Sequence, residues 1–299
     1  MSHLDPTWSV RRRLRRWLDI RIQLRKARQD RRLRPDAPPK RQLVVCGYPR
    51  SGTSLLYNML SSSLDGFLFE EFETRARKSI WKYEDCASKR PRDIGDLAEL
   101  VRENVHGKRI SVIVMIRDVR DVITSTHAQI PDRYYVDYDG RWAPRTGRAP
   151  RIERTGDGVA SIEAAIDRAR RVEGLEQITL RYEDLVASPG AVEARLARVL
   201  DLEFAGRFEE FHLVPERHAY RYDGRREVED PGLERSRVDS TRSGRWAGDE
   251  HRERIREQFD AHPELFEVLR RRCYESDDRW YEPYRTGAPR VSTSAAPEP

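Results

Sequence analysis

The sequence contains few cysteines and no long apolar run. Its three cysteines, Cys46, Cys86 and Cys273, are odd in number and widely spaced, a pattern that favours neither a disulfide framework nor a zinc site. No apolar run approaches the roughly 18 residues of a membrane span, and the N-terminus lacks the apolar core of a signal peptide. We therefore expect a cytoplasmic protein that binds no metal.

Outside one segment near the N-terminus, referred to below as the arm, the sequence has no surplus of basic residues. The formal net charge is +6, yet residues 11–34 alone hold twelve Arg or Lys against two Asp, which leaves the remaining chain at about −4. In this arm, apolar residues recur roughly at helical spacing before a group of prolines. The apolar residues are Val10, Leu14, Trp17, Leu18, Ile22 and Leu24, and the prolines are Pro35, Pro38 and Pro39.

The arm pattern predicts a basic amphipathic helix and a proline linker over residues 1–40. Either this helix docks onto anionic lipid or a polyanionic acceptor, peripherally at a membrane, or it packs on the protein body with its arginines in solvent. We expect no nucleic-acid partner. Residues 41–284 are predicted to form the main domain, and residues 285–299 a disordered tail.

The stretch Leu43–Leu56, LVVCGYPRSGTSLL, predicts a strand, a phosphate loop and a helix. It is similar to the P-loop pattern G-x-x-x-x-G-K-[ST], whose backbone N–H groups wrap a phosphate at a helix N-terminus. The positions that fit this pattern are Gly47, Gly52 and Ser54. Thr53 stands where a nucleotide triphosphatase needs a lysine, and Arg50 lies inside the loop instead. The loop therefore suits a single phosphate better than a magnesium-bound triphosphate.

A second candidate signature follows a second apolar run. Ile110–Ile116 is continuous and apolar, as in a strand buried on both faces, and it leads into Arg117–Ser125, RDVRDVITS. Asp118 is a candidate N-cap for the helix that follows, and Asp121 adds negative charge in the first turn.

Candidate acidic and basic groups lie between these two stretches. The cluster Glu70–Glu73 follows a predicted strand, Gly66–Phe69, at the strand end where open α/β sheets place their chemistry. Lys89 stands in a short segment, KRP, with a cation before a proline. Farther along, residues 131–158 combine tyrosines, a tryptophan and arginines with little periodicity, which predicts a long lid or a binding loop for a sugar or an anionic acceptor.

In these motifs the sequence resembles the sulfotransferases that use 3′-phosphoadenosine 5′-phosphosulfate (PAPS). Pro49–Thr53, PRSGT, matches their signature P-[KR]-[SG]-G-[TS], and Arg117–Ser125 matches the block that forms their 3′-phosphate site. Leu180–Val186, LRYEDLV, is typical of the family and is interpreted as structural, a parallel strand with its crossover helix. Ser243–Trp246, SGRW, resembles the late G-x-W segment that folds over the nucleotide, but the fuller basic pattern of the cytosolic enzymes is absent.

The resemblance implies a donor site and a catalytic site. The catalytic glutamate is Glu73 when the alignment is anchored on Thr74-Arg75, which resembles the family segment E-E-T-R, and Glu71 when residues are counted without gaps from Arg50. Lys89 matches the active-site lysine of a K-x-P segment, and Arg50 supplies a cation at the departing phosphate. The implied PAPS-binding residues are Arg50, Ser51, Gly52, Thr53, Ser54, Arg117, Ser125, Ser243, Gly244 and Arg245.

We expect an α/β fold with a P-loop-kinase-like central parallel sheet flanked by helices. The resemblance implies transfer of a sulfuryl group from PAPS, as co-substrate and without a metal, to an acceptor hydroxyl or amine on a glycan, a lipid-linked saccharide, a small molecule or a protein tyrosine. Two other classes stay open. One is a P-loop kinase or NTPase, which Thr53 opposes, and the other is a non-catalytic polyanion-binding protein that uses the arginine-rich arm.

Overall fold

The computed structural model describes residues 6–127, 129–130, 132–145, 151–219, 238 and 240–286. The chain forms two compact units, the first from residues 1–116 and 162–240 and the second from residues 117–161 and 241–299. Within the described ranges, no helix combines the length and the apolar character that crossing a membrane requires. The tail predicted to be disordered lies almost entirely outside the described residues.

The strands and helices follow the chain order. The described strands are β1 Arg41–Gly47, β2 Leu68–Phe69, β3 Cys86–Lys89, β4 Arg109–Ile116, β5 Arg141–Arg145, β6 Arg151–Thr155 and β7 Leu175–Arg181. The described α-helices are α1 Pro6–Leu33, α2 Thr53–Ser63, α3 Ala76–Ser79, α4 Leu97–Arg102, α5 Val119–Ile123, α6 Val159–Ala169, α7 Tyr182–Ala187, α8 Pro189–Leu200, α9 Arg252–Ala261, α10 Glu264–Arg271 and α11 Glu282–Thr286.

A five-stranded sheet forms the first unit, with the strand order β2-β3-β1-β4-β7. Every neighbouring pair in this sheet is parallel. The two central strands, β1 and β4, are buried along almost their whole length, as parallel strands covered on both faces must be. The predicted fold class, α/β with a P-loop-kinase-like parallel sheet, is confirmed. Side chains of the sheet and its helices share one core, which includes Leu43, Val45, Leu56, Leu60, Ile113, Leu180 and Leu196.

The register brings the carboxyl ends of three strands to one edge of this sheet. Gly47, the last residue of β1, pairs with Met115 of β4, and Val45 pairs with Lys89, the last residue of β3. A Cβ on Gly47 would lie 2.1 Å from the carbonyl oxygen of Met115, so only glycine permits this close approach. The phosphate loop and Lys89 therefore leave the sheet side by side.

Helix α1 packs on the first unit through one face of its second half. The Gln23 side-chain oxygen accepts a 2.8 Å hydrogen bond from the Tyr83 N–H, Asp30 accepts one of 3.2 Å from the Tyr83 hydroxyl, and Ala27 is buried. Leu18 and Ile22, which are one helical turn apart, lie on the opposite face and are 48% and 53% exposed. A helix therefore spans most of the predicted arm, but these two apolar residues do not form its packed face.

The second unit contains α5, α9, α10, α11 and an antiparallel hairpin of β5 and β6. An aromatic cluster holds its C-terminal helices together; for example, the Phe259 ring lies 4.9 Å from Phe266 and 5.1 Å from Trp280, between centroids. The prediction of an irregular loop over residues 131–158 is wrong in part, because the paired strands β5 and β6 lie within it.

The tyrosines of this segment also pack inward. Tyr135 stacks on His127 with a 4.9 Å separation between ring centroids, and Tyr138 stacks on His262 at 4.7 Å. Short polar segments that use aromatic rings as packing groups lack the 2.0 or 3.6 periodicity by which strands and helices are recognised. This explains why the sequence pattern did not predict the hairpin.

Candidate active site

The phosphate loop joins the end of β1 to the start of α2. Gly52 is the N-cap of α2 with a φ of 80°, and a Cβ there would lie 2.5 Å from Cδ2 of Tyr182. Because glycine has no side chain with which to cap the helix, the first N–H groups of α2, from Thr53 onward, are not bonded by the N-cap side chain. Such a helix start attracts an anion through its N–H groups and its dipole.

The hydroxyl groups of two buried side chains, Ser51 and Tyr48, hold the loop in place. The Ser51 hydroxyl donates a 2.7 Å hydrogen bond to the Tyr48 carbonyl, and the Tyr48 hydroxyl donates to the carboxylate of Glu163. Tyr48 is 1% exposed and Glu163 is 4% exposed. Arg50, by contrast, is exposed and has a positive φ of 65°. The loop thus keeps its hydroxyls inside and presents its arginine outward.

The cluster Glu70–Glu73 contains three carboxylates, of which one is ion-paired and nearly buried and two are exposed. Glu70 is nearly buried and forms a 2.5 Å ion pair with Lys82, so it is committed to the scaffold. Glu71 and Glu73 are exposed. The hydroxyl of Tyr57, on α2, lies 2.9 Å from the Glu70 carbonyl and 2.8 Å from the Ala87 carbonyl. The start of the acidic loop is therefore tied to the phosphate-loop helix.

Glu73 and Lys89 meet although sixteen residues separate them. The Lys89 ammonium donates a 3.2 Å hydrogen bond to the Glu73 carboxylate. The Lys89 side chain is 1% exposed and that of Glu73 is 52% exposed. Burial lowers the pKa of Lys89, and the charge and hydrogen bond of Glu73 oppose this shift only in part. Glu71, the alternative base, does not take part in this ion pair.

The residues predicted for the 3′-phosphate lie in the second unit and already make protein contacts. The Arg117 guanidinium donates to Asp121, at 3.1 Å, and to the carbonyl of Arg242. Ser125 lies two residues beyond the end of α5, and its hydroxyl donates a 2.7 Å hydrogen bond to the Val122 carbonyl. The predicted N-cap is confirmed, because the Asp118 side chain accepts from the Arg120 N–H.

Asp121 has a structural role that the sequence did not predict. Its carboxylate accepts hydrogen bonds from the N–H groups of Gly244, at 2.9 Å, and Trp246, at 3.0 Å. The late segment Ser243–Trp246 is therefore anchored on the start of α5, with Arg245 exposed. A first-turn acidic residue was the expected signal, but nothing in the local sequence indicates a partner more than 120 residues away.

Arg120 is a second feature that the sequence did not disclose. It is 3% exposed and its guanidinium contacts two indoles, 3.8 Å from the Trp246 centroid and 4.5 Å from that of Trp280. It pairs with Asp118 at 2.7 Å and Glu275 at 2.5 Å. Burial alone would lower the pKa of Arg120, but the two carboxylates outweigh it and the pKa is raised.

The structure therefore assembles part of the predicted site in the first unit. The phosphate loop follows β1, and the Glu73–Lys89 pair lies at the end of the adjacent strand β3. Arg117, Ser125 and Ser243–Arg245 belong to the second unit, in which Asp121 ties Arg117 to the late segment. Among the described residues, no group of three or more His, Cys, Asp or Glu side chains has an arrangement that could hold a metal ion.

Comparison with known proteins identifies the family of the chain. No curated protein matches it. Among solved structures, it is similar to the sulfotransferase domain of the Synechococcus PCC 7002 olefin synthase, with 16% identity over 72% of this chain and 90% of that one and a TM-score of 0.41. It is also similar to a sulfotransferase domain from the curacin biosynthetic pathway, with 15% identity over 75% of this chain and 99% of that one and a TM-score of 0.41. Because the sequence profile of the sulfotransferase domain matches residues 40–260, more than half of the chain, this protein belongs to the sulfotransferase family.

Proposed function

We propose that this sulfotransferase takes its sulfuryl group from PAPS and transfers it to an acceptor hydroxyl or amine. The observation that carries the proposal is the pairing of Glu73 with the buried Lys89 at the strand end beside the phosphate loop. A carboxylate for proton removal and a cation for developing negative charge are what such a transfer needs. The reaction as proposed uses no metal.

The phosphate loop fits the 5′-phosphosulfate end of PAPS. The N-terminus of α2 offers backbone N–H groups for one phosphate, and the exposed Arg50 adds a cation beside them. The loop residues Ser51, Gly52, Thr53 and Ser54 would hold this phosphate, and the bound PAPS supplies the sulfuryl group. The family resemblance adds Arg117 and Ser125 for the 3′-phosphate, with Ser243, Gly244 and Arg245 as further contacts.

Glu73 is the proposed base. Its carboxylate is half exposed, so an acceptor can approach it, and it would take the proton that the acceptor oxygen or nitrogen loses as the new bond to sulfur forms. Lys89 and Arg50 would stabilise the negative charge that grows on the departing phosphate oxygen. Since positioning and charge supply most of the catalysis in group transfers of this kind, a small set of fixed side chains is sufficient.

The donor is tested by calorimetry with 3′-phosphoadenosine 5′-phosphate, adenosine 5′-phosphate and ATP with magnesium. We expect the first to bind most tightly, and Arg117→Ala to weaken its binding by about 1.5–3 kcal/mol, as loss of a charged hydrogen-bond partner does. Equal affinity for the first two nucleotides would remove the 3′-phosphate site from the proposal. Tighter binding of ATP with magnesium would favour the kinase or NTPase alternative.

The base is tested by steady-state kinetics on three matched variants. We expect Glu73→Gln to lower kcat roughly 10²- to 10⁴-fold with PAPS affinity intact, the usual contribution of a general base. Glu71→Gln, which alters an exposed neighbour of the pair, and Glu70→Gln, which alters a scaffold residue, serve as comparisons. A loss confined to Glu71→Gln would move the base by two residues, and full turnover in all three variants would end the glutamate mechanism.

The acceptor is proposed only by class: a glycan, a lipid-linked saccharide, a small molecule or a protein tyrosine. Incubation of the enzyme with sulfur-labelled PAPS and fractionated cell extract, followed by identification of the labelled product, distinguishes these classes. A matched incubation with Glu73→Gln measures the label that other proteins in the extract transfer, and this background is subtracted. Absence of any labelled product that depends on Glu73 would instead favour a non-catalytic polyanion-binding protein.

We also propose a cytoplasmic location with peripheral membrane contact through α1. Leu18, Ile22 and the exposed Arg21 and Arg25 share one face of the helix, opposite the face that contacts Tyr83. Apolar side chains beside arginines suit an anionic lipid surface. Leu18→Ser with Ile22→Ser should abolish binding to phosphatidylserine vesicles and leave turnover of a soluble acceptor unchanged. Vesicle binding equal to wild type would leave α1 as a helix that only packs on the first unit.

A further inference from the structure

Asp93 is a buried carboxylate four residues after Lys89. It is 2% exposed and lies in a short 3₁₀ helix, Pro91–Gly95, directly after β3. One carboxylate oxygen accepts a 2.7 Å hydrogen bond from the Ala76 N–H, and the other lies 3.2 Å from the Arg90 guanidinium. Family motifs and local sequence assign no role to this residue.

These two contacts connect the segments that carry the pair. Ala76 begins α3, three residues after Glu73, and Arg90 follows Lys89 directly. The Arg90 N–H in turn donates a 3.0 Å hydrogen bond to the Val45 carbonyl of β1. Asp93 thus closes a ring that runs from Glu73 through Ala76, across its own carboxylate to Arg90, and back through Lys89. One side chain therefore connects the two segments that carry Glu73 and Lys89.

The surroundings of Asp93 make its charge sensitive to pH. Burial raises the pKa of Asp93 to about 6, against the opposing effect of the Ala76 N–H and the Arg90 guanidinium. Asp96 faces it with a like charge, and the buried Cys46 thiol lies close enough to interact with it. When Asp93 takes a proton, it still accepts from Ala76 but loses its charge attraction for Arg90.

We propose that Asp93 is a positioning residue that holds the acidic loop against the end of β3 through Ala76 and Arg90, and so keeps Glu73 beside Lys89. The inference rests on the proposed function for its effect on turnover. Its structural part, the anchoring of Lys89, does not depend on that function and is measured separately.

The anchoring is measured by the rate at which Lys89 is acylated by acetic anhydride, followed by mass spectrometry well below each melting temperature. Asp93→Asn keeps the shape and an acceptor oxygen but removes the charge, so we expect Lys89 to be acylated several-fold faster at pH 7.5 than in wild type. Arg90→Gln should act in the same direction. Asp96→Asn, the same change three residues away on a half-buried side chain, is the matched control and should leave the rate unchanged.

Turnover supplies the second measurement. We expect Asp93→Asn to lower kcat about tenfold at pH 7.5 with an unchanged KM for PAPS, since displacement of a catalytic group reduces rate more than binding.

The ionisation of Asp93 also affects stability. Because the pKa of Asp93 is raised from 3.8 to about 6, the stability it contributes is present below pH 3.8 and is lost as the pH rises to 6. The melting temperature of Asp93→Asn relative to wild type should therefore rise over that range. Equal Lys89 acylation in wild type, Asp93→Asn and Arg90→Gln would overturn the inference, whatever the turnover. Failure of PAPS turnover in wild type, with faster acylation in the variants, would reject the proposed function alone.

Discussion

Lys89 in the first unit and Arg120 in the second are both buried cations, but their surroundings differ. Arg120 contacts two indole rings and pairs with Asp118 and Glu275, and its pKa is raised. Lys89 pairs with Glu73, a carboxylate that is itself half exposed, and its pKa is lowered. The neighbours of Arg120 favour its charged form by more than burial disfavours it, whereas Glu73 does not fully offset the burial of Lys89.

This difference separates a structural charge from a functional one. A planar guanidinium can stack and form several directed hydrogen bonds, whereas an ammonium is a compact point charge whose pKa shifts when it is buried. Residues with perturbed pKa values at a strand end cluster at functional sites. We therefore expect Arg120 to serve the architecture of the second unit, and we propose the chemical role for Lys89.

The largest expected effect is on the structural side of the comparison. Arg120→Met should lower the free energy of unfolding by about 3–5 kcal/mol, because it leaves the buried Asp118 carboxylate without its charge partner. Urea denaturation measures this loss. Arg270→Met is the control, because Arg270 pairs with Glu267 and Asp278 at the surface, where ion pairs contribute about 0–1 kcal/mol. Equal losses in both variants would contradict the structural role of Arg120.

The next effect is on the functional side. Lys89→Met should lower kcat by about 10²- to 10³-fold, or roughly 2.7–4 kcal/mol, the cost of removing one group that stabilises developing charge. Its stability should be equal to or above that of wild type, because an apolar side chain of similar length replaces a buried charge. Lys82→Met, which removes a lysine from a carboxylate of the same loop, is the control. A large loss of stability with normal turnover would make Lys89 structural.

The contrast between the units also shows what the sequence could predict. Strands β1, β4 and β7, the phosphate loop and the Asp118 cap depend on local patterns, and the sequence predicts each with bounds close to those observed. The buried parallel strand β3, in the segment that carries Lys89, was not predicted. Local physics and family order are sufficient for the predicted strands, the phosphate loop and the cap. The choice of Glu73 as the base rests on a short motif and stays a prediction, and Glu73 contacts Lys89.

The features that were missed depend on long-range pairing. Asp93 reaches back to Ala76, Tyr48 to Glu163, and Asp121 forward to Gly244. In each case the residue type has an ordinary local explanation, such as a turn, a strand end or a helix start. A single sequence does not disclose which distant N–H or carboxylate satisfies a buried polar group, because that choice is made by tertiary packing.

A smaller effect extends the comparison to a buried anion. Glu163 is 4% exposed and accepts a hydrogen bond from the Tyr48 hydroxyl below the phosphate loop. Tyr48→Phe should lower the free energy of unfolding by about 1–3 kcal/mol, because it removes one donor from a buried acceptor. Thermal denaturation measures the change. Tyr48→Phe with Glu163→Gln should recover part of it if the carboxylate charge is the cause, and no recovery would contradict that explanation.

The smallest effect concerns the pH dependence of stability and comes from Lys89 itself. Because burial lowers the pKa of Lys89 below 10.5, the unfolded chain holds this proton more tightly than the folded chain. The stability that Lys89 contributes is therefore present above pH 10.5 and is lost as the pH falls through the folded pKa. Between these two pKa values, the melting temperature of wild type should rise with pH relative to Lys89→Met, which cannot titrate. The difference in melting temperature between wild type and Arg120→Met should not change with pH in this range, because arginine stays protonated throughout it. If the melting temperatures of wild type and Lys89→Met change with pH in the same way across this range, Lys89 is stabilised in its charged form as fully as Arg120. The distinction between the two cations would then be lost.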